Sequence, residues 1–166
     1  ALEIDRISIP IEKLPSAFQD FRIIHVSDIH HGPFTDLGDI ERLTNLINDE
    51  QADLIVLTGD FVLNSRKYIR ECIEVLGQLR APSGIYAVLG NHDHRESSAE
   101  INTALNKQNI QVLNNRNVVL EREGKRLCLA GVDDLEEGEP DLDLAFSKAC
   151  LDIPRILLSH NPDIAE

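Results

Sequence analysis

Four apolar segments of the sequence each end in side chains that can bind a metal ion or transfer a proton. The segments finish in SDIHHG, TGDF, LGNHDH and SHNPD. The candidate side chains in these endings are Asp28, His30, Asp60, Asn91, His92, Asp93 and His160. Carboxylate, imidazole and amide ligands together suit divalent first-row metals such as manganese, iron or zinc better than calcium. These residue types therefore indicate a metal centre.

The number of candidate ligands indicates two ions rather than one. Asp28 and His30 stand two residues apart at the end of one segment, so both side chains can point into one cavity. Paired ions about 3.5–4 Å apart can share a bridging carboxylate and hold a hydroxide for in-line attack on phosphorus. A glycine precedes both Asp60 and Asn91, which lets the backbone turn sharply and approach the ions.

Each motif has an ordinary alternative when it is taken alone. The D-x-H triplet could be a polar loop, Gly59-Asp60 could be a turn, and His160 could be a hydrogen-bonded structural histidine. LGNHDH is the most specific ending, because turn-forming roles for Asn91 and Asp93 leave both of its histidines unexplained. The occurrence of all four endings in order favours one shared site.

The elements that must position these side chains alternate along the chain. The four endings follow segments with the pattern of buried strands, at 22–27, 53–58, 84–89 and 155–159. Between them, helical spacing of apolar residues predicts helices over 38–50, 69–79 and 97–108. Buried strands that alternate with helices predict an α/β fold. In open α/β sheets ligands bind at the carboxyl ends of the strands, so we expect the four endings to meet.

Further elements are predicted outside this alternating core. Residues 2–11 alternate apolar and polar, as a half-buried edge strand does. Two strand-like segments flank a Glu-Gly pair at 123–124, which predicts a β-hairpin. A weaker pattern predicts a helix over 141–150. Asn161 and Pro162 form a typical helix start, so a last helix is expected from that point.

The composition disfavours several classes of function. The formal net charge is −13 and the basic residues are scattered, so nucleic acid is not an expected partner, because clustered lysine and arginine bind its phosphates. The apolar runs are shorter than the about 20 residues of a membrane-spanning helix. Cys72, Cys128 and Cys150 lie in apolar patterns, so we expect small buried side chains rather than a disulfide or a metal site.

Several polar residues near the four endings receive no role in the site. His25 lies inside a predicted strand and is expected to be structural. His31 and His94 adjoin candidate ligands, and could either contact substrate or belong to solvated loops. Asp133 and Asp134 end a predicted strand, where they could line the cavity or form a turn.

The order D-x-H, G-D, G-N-H-D and H, which extends over nearly the whole chain, resembles the calcineurin-like metallophosphoesterase superfamily. The sequences LIVLTGDF, GIYAVLGNHDH and LAGVDD are similar to a branch that contains YkuE-like and YaeI-like enzymes. The resemblance implies an α/β fold with two mixed β-sheets packed as a sandwich and flanking helices. It also implies hydrolysis of a phosphodiester or pyrophosphate bond in a phosphorylated small molecule or a lipid-linked substrate.

Carried over residue by residue, the resemblance assigns the metal ligands. Asp28 and His30 would bind the first of two divalent ions, which we expect to be manganese, iron or zinc. Asn91 and His160 would bind the second ion, and Asp60 would bridge the two.

The resemblance also implies a catalytic role for two residues that are not metal ligands. His92 would stabilise the transition state and protonate the leaving oxygen as a general acid. Asp93 would either orient His92 or have a structural role, and both interpretations stay open.

The superfamily pattern normally ends in a G-H-x-H motif that gives each ion one further ligand. The sequence ends at Glu166 before such a motif, so we expect a single domain over 1–166 with its C-terminal part missing. A segment before Ala1 that anchors or exports the domain is compatible with the resemblance.

Two other functions stay open beside hydrolysis of a small phosphoester. A non-catalytic scaffold of the same fold would have lost ligands, whereas every ligand position before Glu166 is intact here. A nuclease is disfavoured by the negative charge. His92 distinguishes the enzyme from the scaffold, because a purely structural metal site needs no free acid beside it.

Overall fold

The computed structural model describes residues 2–147 and 150–165, which form two β-sheets and flanking helices. The first sheet has four strands in the order β1-β2-β3-β4. The strands are β1 Ile23–Val26, β2 Leu54–Thr58, β3 Ile85–Val88 and β4 Ile110–Val112. All three pairings are parallel, so the carboxyl ends of these strands lie at one edge of the sheet.

Helices connect the strands of the first sheet, as the sequence predicts. They are α1 Leu37–Asp49, α2 Ile69–Leu76 and α3 Asn91–Lys107. α1 begins at a capping box, in which Asp36 accepts from the backbone N–H of Asp39 at 2.9 Å and Asp39 accepts from that of Asp36 at 3.2 Å. Short 3-10 helices lie at Ser16–Phe18, Arg66–Tyr68 and Pro162–Ala165.

The second sheet contains the predicted hairpin. β5 (Arg116–Arg122) pairs antiparallel with β6 (Lys125–Gly131), and β6 pairs parallel with β7 (Arg155–Leu158). A short helix, α4 (Leu142–Ala145), lies in the connection from β6 to β7. The turn at 123–124 uses φ of 51° at Glu123 and 70° at Gly124.

The two sheets pack face to face, which confirms the predicted sandwich, although only the second sheet is mixed and the described strands of the first are all parallel. β2 is buried on both faces. Ile55 and Leu57 belong to the core formed with α1, α2 and α3. Leu54 and Val56 alternate with them and belong to the core that contains Leu129 of the second sheet. Because its alternate side chains belong to different cores, β2 joins the two. Each fully buried aliphatic side chain stabilises the fold by about 1.5–3 kcal/mol.

The predicted edge strand at 2–11 is wrong. Residues 2–10 have no strand assignment, and Ile7 and Ile9 are 80% and 75% exposed. One contact of this segment with the rest of the chain is an ion pair between the largely exposed Arg6 and Glu50, at 2.9 Å. An alternating pattern describes what a strand would bury, but it does not supply the neighbouring strand that it must pair with.

The expectation for the cysteines is wrong in one respect. All three are buried, but Cys128 and Cys150 form a disulfide with their Cα atoms 5.4 Å apart. The parallel pairing of β6 and β7 sets Cys128 opposite Arg155, so the chain just before β7 passes beside β6. Cys72 is free, and burial raises the pKa of its thiol.

Three helix predictions differ from the structure at their ends. α3 begins at Asn91 rather than near 97, and is kinked at Ser97, where φ is −177° and ψ is 91°. The helix predicted over 141–150 is reduced to four α-helical residues, Leu142–Ala145, among the described part of that range. Asn161 does act as a cap, since its Oδ1 accepts from the backbone N–H of Asp163 at 3.0 Å, but the helix is a 3-10 turn.

Candidate metal centre

The loops that follow β1 and β2 are bonded to each other at the edge of the first sheet. The backbone N–H of Asp28 donates to the carbonyl of Gly59 at 3.1 Å, and that of His30 donates to the carbonyl of Asp60 at 2.9 Å. Asp28, His30 and Asp60 have φ of 55°, 49° and 56°, in the left-handed region that residues with side chains rarely use.

Asp60 lies at the centre of the predicted ligands. It is 2% exposed, and its Oδ2 lies 3.5 Å from the Nε2 of His30 and 3.5 Å from the Nε2 of His160. Its other oxygen, Oδ1, accepts from the backbone N–H of His92 at 2.9 Å. One oxygen of this carboxylate is thus held by the start of α3, while the other faces imidazoles from two different loops.

The potential ligand atoms fall into two groups that share Asp60. One group is His30, Asp60 and His92, and the other is Asp28, Asp60 and His160, with the atoms of each within 4.8 Å of one another. The sequence predicts that His92 stands beside the ions without binding them, but its ring lies close enough to be a ligand. Its centroid is 5.0 Å from that of His30, in an edge-on arrangement.

His160 and Asn91, the predicted ligands of the second ion, both line one cleft at the protein surface. The Nδ1 of His160 lies 2.7 Å from the carbonyl oxygen of Thr58, which leaves Nε2 facing Asp60. A backbone carbonyl that accepts from one imidazole nitrogen fixes the tautomer in which the other nitrogen can bind a metal. Asn91 is the first residue of α3.

Two glycines allow the loops after β2 and β3 to touch. A Cβ on Gly90 would lie 2.8 Å from the backbone nitrogen of Asp60 and 2.9 Å from the Nδ1 of His160. Gly59 has φ of 87°, and a Cβ there would lie 2.8 Å from the carbonyl carbon of Leu89. The glycines predicted to let the backbone approach the ions are therefore also required by the contact between the loops.

Asp93 is fully buried and accepts three hydrogen bonds from the backbone. Its carboxylate accepts from the N–H groups of Asp60 at 2.7 Å, Phe61 at 2.9 Å and Gly90 at 3.0 Å. Burial raises the pKa of Asp93 to about 6, although these three bonds oppose the rise. Among the hydrogen bonds of the described residues there is none between Asp93 and the His92 ring, so its contacts support the structural interpretation.

His94 and Asp133 form a partly buried pair that the sequence pattern does not predict. The Nε2 of His94 lies 2.8 Å from the Oδ1 of Asp133, and Asn114 donates to the same oxygen at 2.5 Å. The hydrogen bond with Asp133 raises the pKa of His94. Burial acts to raise the pKa of Asp133, but hydrogen bonds from His94 and from two backbone N–H groups outweigh it, so this pKa is lowered.

The remaining histidines have structural surroundings. The Nε2 of His25 lies 2.7 Å from the hydroxyl of Thr58, in agreement with a structural role. His31 is 4% exposed and its Nδ1 lies 2.9 Å from the carbonyl of Thr35, so it is buried rather than solvated. The only sequence signal for the His94–Asp133 pair was the position of LAGVDD at a strand end.

Comparison with known proteins decides the family. The family described as calcineurin-like phosphoesterase matches residues 21–165. The chain belongs to the calcineurin-like phosphoesterase family. The matched range contains every predicted site residue, and membership supports a metal-dependent phosphoesterase as the general class of activity.

Relatives of this calcineurin-like phosphoesterase occur in animals and bacteria. It is 32% identical, over 96% of its length, to a Danio rerio protein named "Transmembrane protein with metallophosphoesterase domain". It is also 32% identical, over 99% of its length, to "Uncharacterized metallophosphoesterase YkuE" of Bacillus subtilis. The chain spans 39% of the length of the first relative and 59% of the second. Among the residues described here, no helix is both long and apolar enough to cross a membrane.

One solved structure also aligns with part of this chain. Phosphopantetheinyl hydrolase from Mycobacterium tuberculosis aligns with 68% of this chain, at a TM-score of 0.45 and 16% sequence identity. The alignment covers 41% of the mycobacterial chain.

Proposed function

We propose that this calcineurin-like phosphoesterase uses two divalent ions to hydrolyse a phosphodiester or a pyrophosphate bond. The observation that supports this most directly is the position of Asp60. Among the described residues, it is the carboxylate common to both groups of potential ligands, and its Oδ2 lies 3.5 Å from an imidazole nitrogen of His30 and of His160. A carboxylate between imidazoles from two separate loops is suited to bridge two ions.

The residues present fit two cations. Asp28 and Asp60 place carboxylate oxygens within 4.8 Å of each other, and a divalent ion would relieve their repulsion. Asp28 and His30, whose ligand atoms lie 3.4 Å apart, would hold the first ion, Asn91 and His160 the second, and Asp60 would contribute to both, a division that differs from the two distance groups. Oxygen and imidazole donors suit manganese, iron or zinc. Bound ions of this kind supply Lewis-acid charge and lower the pKa of water, which provides a nucleophile at neutral pH.

His92 is assigned the role of general acid. The hydrogen bond from its backbone N–H to Asp60 fixes the first turn of α3, which presents the ring beside His30. From this place His92 would donate a proton to the leaving oxygen of the substrate. Such proton transfer contributes about 10²–10⁴ in rate. Asp93 contributes indirectly, because it holds the backbone of Asp60 in place.

The proposed substrate is a phosphorylated small molecule or a lipid-linked compound. The net charge of −13 gives no support to binding of a nucleic acid. A substrate with a single phosphate is repelled less by the acidic protein than a nucleic acid with many phosphates. The bound ions would attract that one phosphate.

A substrate panel tests the proposal. The purified protein would be assayed with manganese, iron or zinc on bis(p-nitrophenyl) phosphate, p-nitrophenyl phosphate, a sugar nucleotide and single-stranded DNA. We expect metal-dependent turnover of the diester or the sugar nucleotide, and its loss with excess EDTA. Tight metal binding without turnover of any compound would indicate the non-catalytic scaffold instead. Preferred cleavage of DNA would indicate a nuclease.

A further inference from the structure

The turn that follows the proposed metal ligand His30 carries the most exposed large apolar side chain among the described residues. Phe34 is 89% exposed, and Pro33 before it is exposed as well. Between residues 24 and 134 no other large apolar side chain is exposed. Single exposed apolar side chains are common on soluble proteins, so the inference depends on how this ring is held and on what lies beside it.

Hydrogen bonds hold this turn in one place. The backbone N–H of Gly32 donates to the carbonyl of Thr35 at 3.1 Å, and the Nδ1 of the buried His31 lies 2.9 Å from the same oxygen. The backbone of His31 is bonded in both directions to the loop after β2. Its N–H donates to the carbonyl of Phe61 at 2.9 Å, and its carbonyl accepts from the N–H of Leu63 at 3.0 Å. The exposed ring is therefore presented from a turn that the structure supports.

A second aromatic side chain and a lysine lie beside the same turn. The ring of His31 packs edge-on against that of Tyr68, with 5.0 Å between the centroids. The Nζ of Lys67 lies 4.6 Å from the centroid of the Tyr68 ring. Arg66 pairs with Glu100, whereas the exposed Lys67 has no ion-pair partner among the residues that the structure describes. One ammonium group next to the turn is thus free to bind an anion.

These side chains lie at the edge of the first sheet that carries the proposed metal centre. We refer to Phe34, Lys67 and Tyr68, which are grouped around His31, as the aromatic tip. His30 and Phe34 are four residues apart, so their Cα atoms lie within about 14 Å of each other. Anything that covers the aromatic tip is therefore close to the metal centre.

The aromatic tip is too small for a stable interface with another protein. Such interfaces bury about 800 Å² on each partner around an apolar core, whereas one aromatic side chain buries about 150–250 Å². A lipid surface needs no large complementary patch, because apolar side chains enter it by about 5–10 Å while cations bind the headgroup phosphates. Tyrosine and lysine have the apolar body and polar end that suit the level of the headgroups.

The net charge limits which lipid surface fits. At −13, the protein is repelled by a strongly anionic surface, and one free lysine does not offset this repulsion. A zwitterionic surface exposes phosphate groups without a large net charge. The aromatic tip therefore matches a zwitterionic lipid surface better than an anionic one.

We propose that the aromatic tip inserts Phe34 into a lipid surface of low net charge, and that this contact brings the metal centre to a phosphoester held in that surface. Lys67 would bind a lipid phosphate beside the inserted ring. The proposal rests on the proposed function, and it selects the lipid-linked compound rather than the freely dissolved small molecule as the substrate.

Fluorescence tests the insertion, because the protein contains no tryptophan. Vesicles of phosphatidylcholine would be added to manganese-loaded Phe34→Trp. We expect its emission to shift to shorter wavelength, and to be quenched by lipids brominated in their acyl chains. Ile7→Trp is the matched control, because Ile7 is 80% exposed and lies outside the aromatic tip, and its emission should not change. Unchanged emission of Phe34→Trp, or an equal shift of both variants, would overturn the proposal.

Flotation with the same vesicles measures the affinity without use of catalysis. Phe34→Ala should weaken binding at least about tenfold, because the ring supplies most of the buried apolar surface, and Phe34→Leu should retain most of the affinity. Ile7→Ala should bind as the wild type does. Equal binding by Phe34→Ala and the wild type would overturn the proposal. So would self-association of the wild type that Phe34→Ala abolishes, because the aromatic tip would then contact another protein molecule.

Turnover separates this proposal from the proposed function. A p-nitrophenyl diester of a diacylglycerol phosphate in phosphatidylcholine vesicles would be compared with bis(p-nitrophenyl) phosphate in solution. We expect Phe34→Ala to lower the ratio of the vesicle rate to the solution rate at least about tenfold, and Ile7→Ala to leave this ratio unchanged. An equal ratio in Phe34→Ala and the wild type would show that the aromatic tip does not bring the metal centre to its substrate. If neither ester is hydrolysed, the proposed function fails, and vesicle binding still decides whether the aromatic tip binds lipid.

Discussion

The carboxylate of Asp93 accepts a hydrogen bond from the backbone N–H of Asp60 at 2.7 Å. The same carboxylate accepts from Phe61 and from Gly90, so one buried acid ties the loop after β2 to the start of α3. The position of Asp60, on which both proposed ions depend, is therefore set by a residue that is not itself a ligand.

Replacement of Asp93 by asparagine should destabilise the protein. The asparagine NH₂ would face backbone N–H donors, and at least one of them would lose its acceptor, which costs about 1–3 kcal/mol. Urea unfolding of Asp93→Asn should show a decrease of this size in the free energy of unfolding. Glu71→Gln, an exposed acid at the start of α2, is the control and should change it by less than about 0.5 kcal/mol. Equal stability of the two variants would contradict the structural role of Asp93.

Gly90→Ala should weaken metal binding. The added Cβ would lie 2.9 Å from the Nδ1 of His160 and 2.8 Å from the backbone nitrogen of Asp60, so the two loops must separate. We expect manganese affinity to fall at least about tenfold in a calorimetric titration, as it does when groups that orient metal ligands are lost. Gly38→Ala is the control, because its Cβ would lie 3.2 Å from the carboxylate of Asp36, outside the site. Unchanged affinity in Gly90→Ala would show that the loops need not touch.

The ion pair of His94 and Asp133 should make stability depend on pH. The pKa of His94 is raised above its usual value of 6.5, so its contribution is complete below that pH and is lost as pH rises through the folded-state pKa. The pKa of Asp133 is lowered, so its contribution is present above the usual value of 3.8 and is lost as pH falls through the lower folded-state pKa. The pair therefore stabilises most between these two usual values.

A double-mutant cycle with His94→Gln and Asp133→Asn checks this dependence. The coupling energy between the two side chains should be about 1–2 kcal/mol near pH 5.5, because both are mostly buried, and should decrease clearly by about pH 9. A coupling energy that stays constant over this range would mean that the pair is not ionic.

Much of the fold could be predicted because its signals are local. Continuous apolar runs such as LIVLT predict a buried strand, and β2 is buried throughout. Residues 2–11 have an equally clear alternating pattern, but pairing depends on a partner strand elsewhere, and the sequence does not state it. The Cys128–Cys150 disulfide was missed for the same kind of reason, since it depends on how β6 and β7 pair.

The sequence predicted which candidate ligands lie close together, but not the residues that hold them in place. Asp28, Asp60 and His160 come together because each follows a strand, and strand ends are visible in the sequence. The sequence did not predict that α3 begins at Asn91. The segment LGNHDH is polar, and a helix is predicted from the spacing of apolar residues. Residue types do not reveal that Asp93 accepts hydrogen bonds from backbone N–H groups. The sequence could therefore not decide whether Asp93 orients His92 or has a structural role.

His92→Ala should lower turnover without removing the ions. The expected loss is about 10²–10⁴ in kcat for an alkyl leaving group, and smaller for p-nitrophenolate, which needs little protonation. Metal content by elemental analysis should stay at the wild-type value. His25→Ala, a histidine on β1 that bonds Thr58, is the control. Loss of an ion from His92→Ala would make His92 a ligand, as its distance from His30 and Asp60 also allows.

Both proposed ions depend on Asp60, so the number of bound manganese ions shows whether this carboxylate is shared. Elemental analysis and electron paramagnetic resonance would be applied to the wild type and to Asp60→Asn, which keeps an acceptor for the backbone N–H of His92. We expect the wild type to hold a magnetically coupled pair of ions and Asp60→Asn to hold at most one uncoupled ion. A single ion in the wild type, or a coupled pair retained in Asp60→Asn, would show that Asp60 does not bridge two ions.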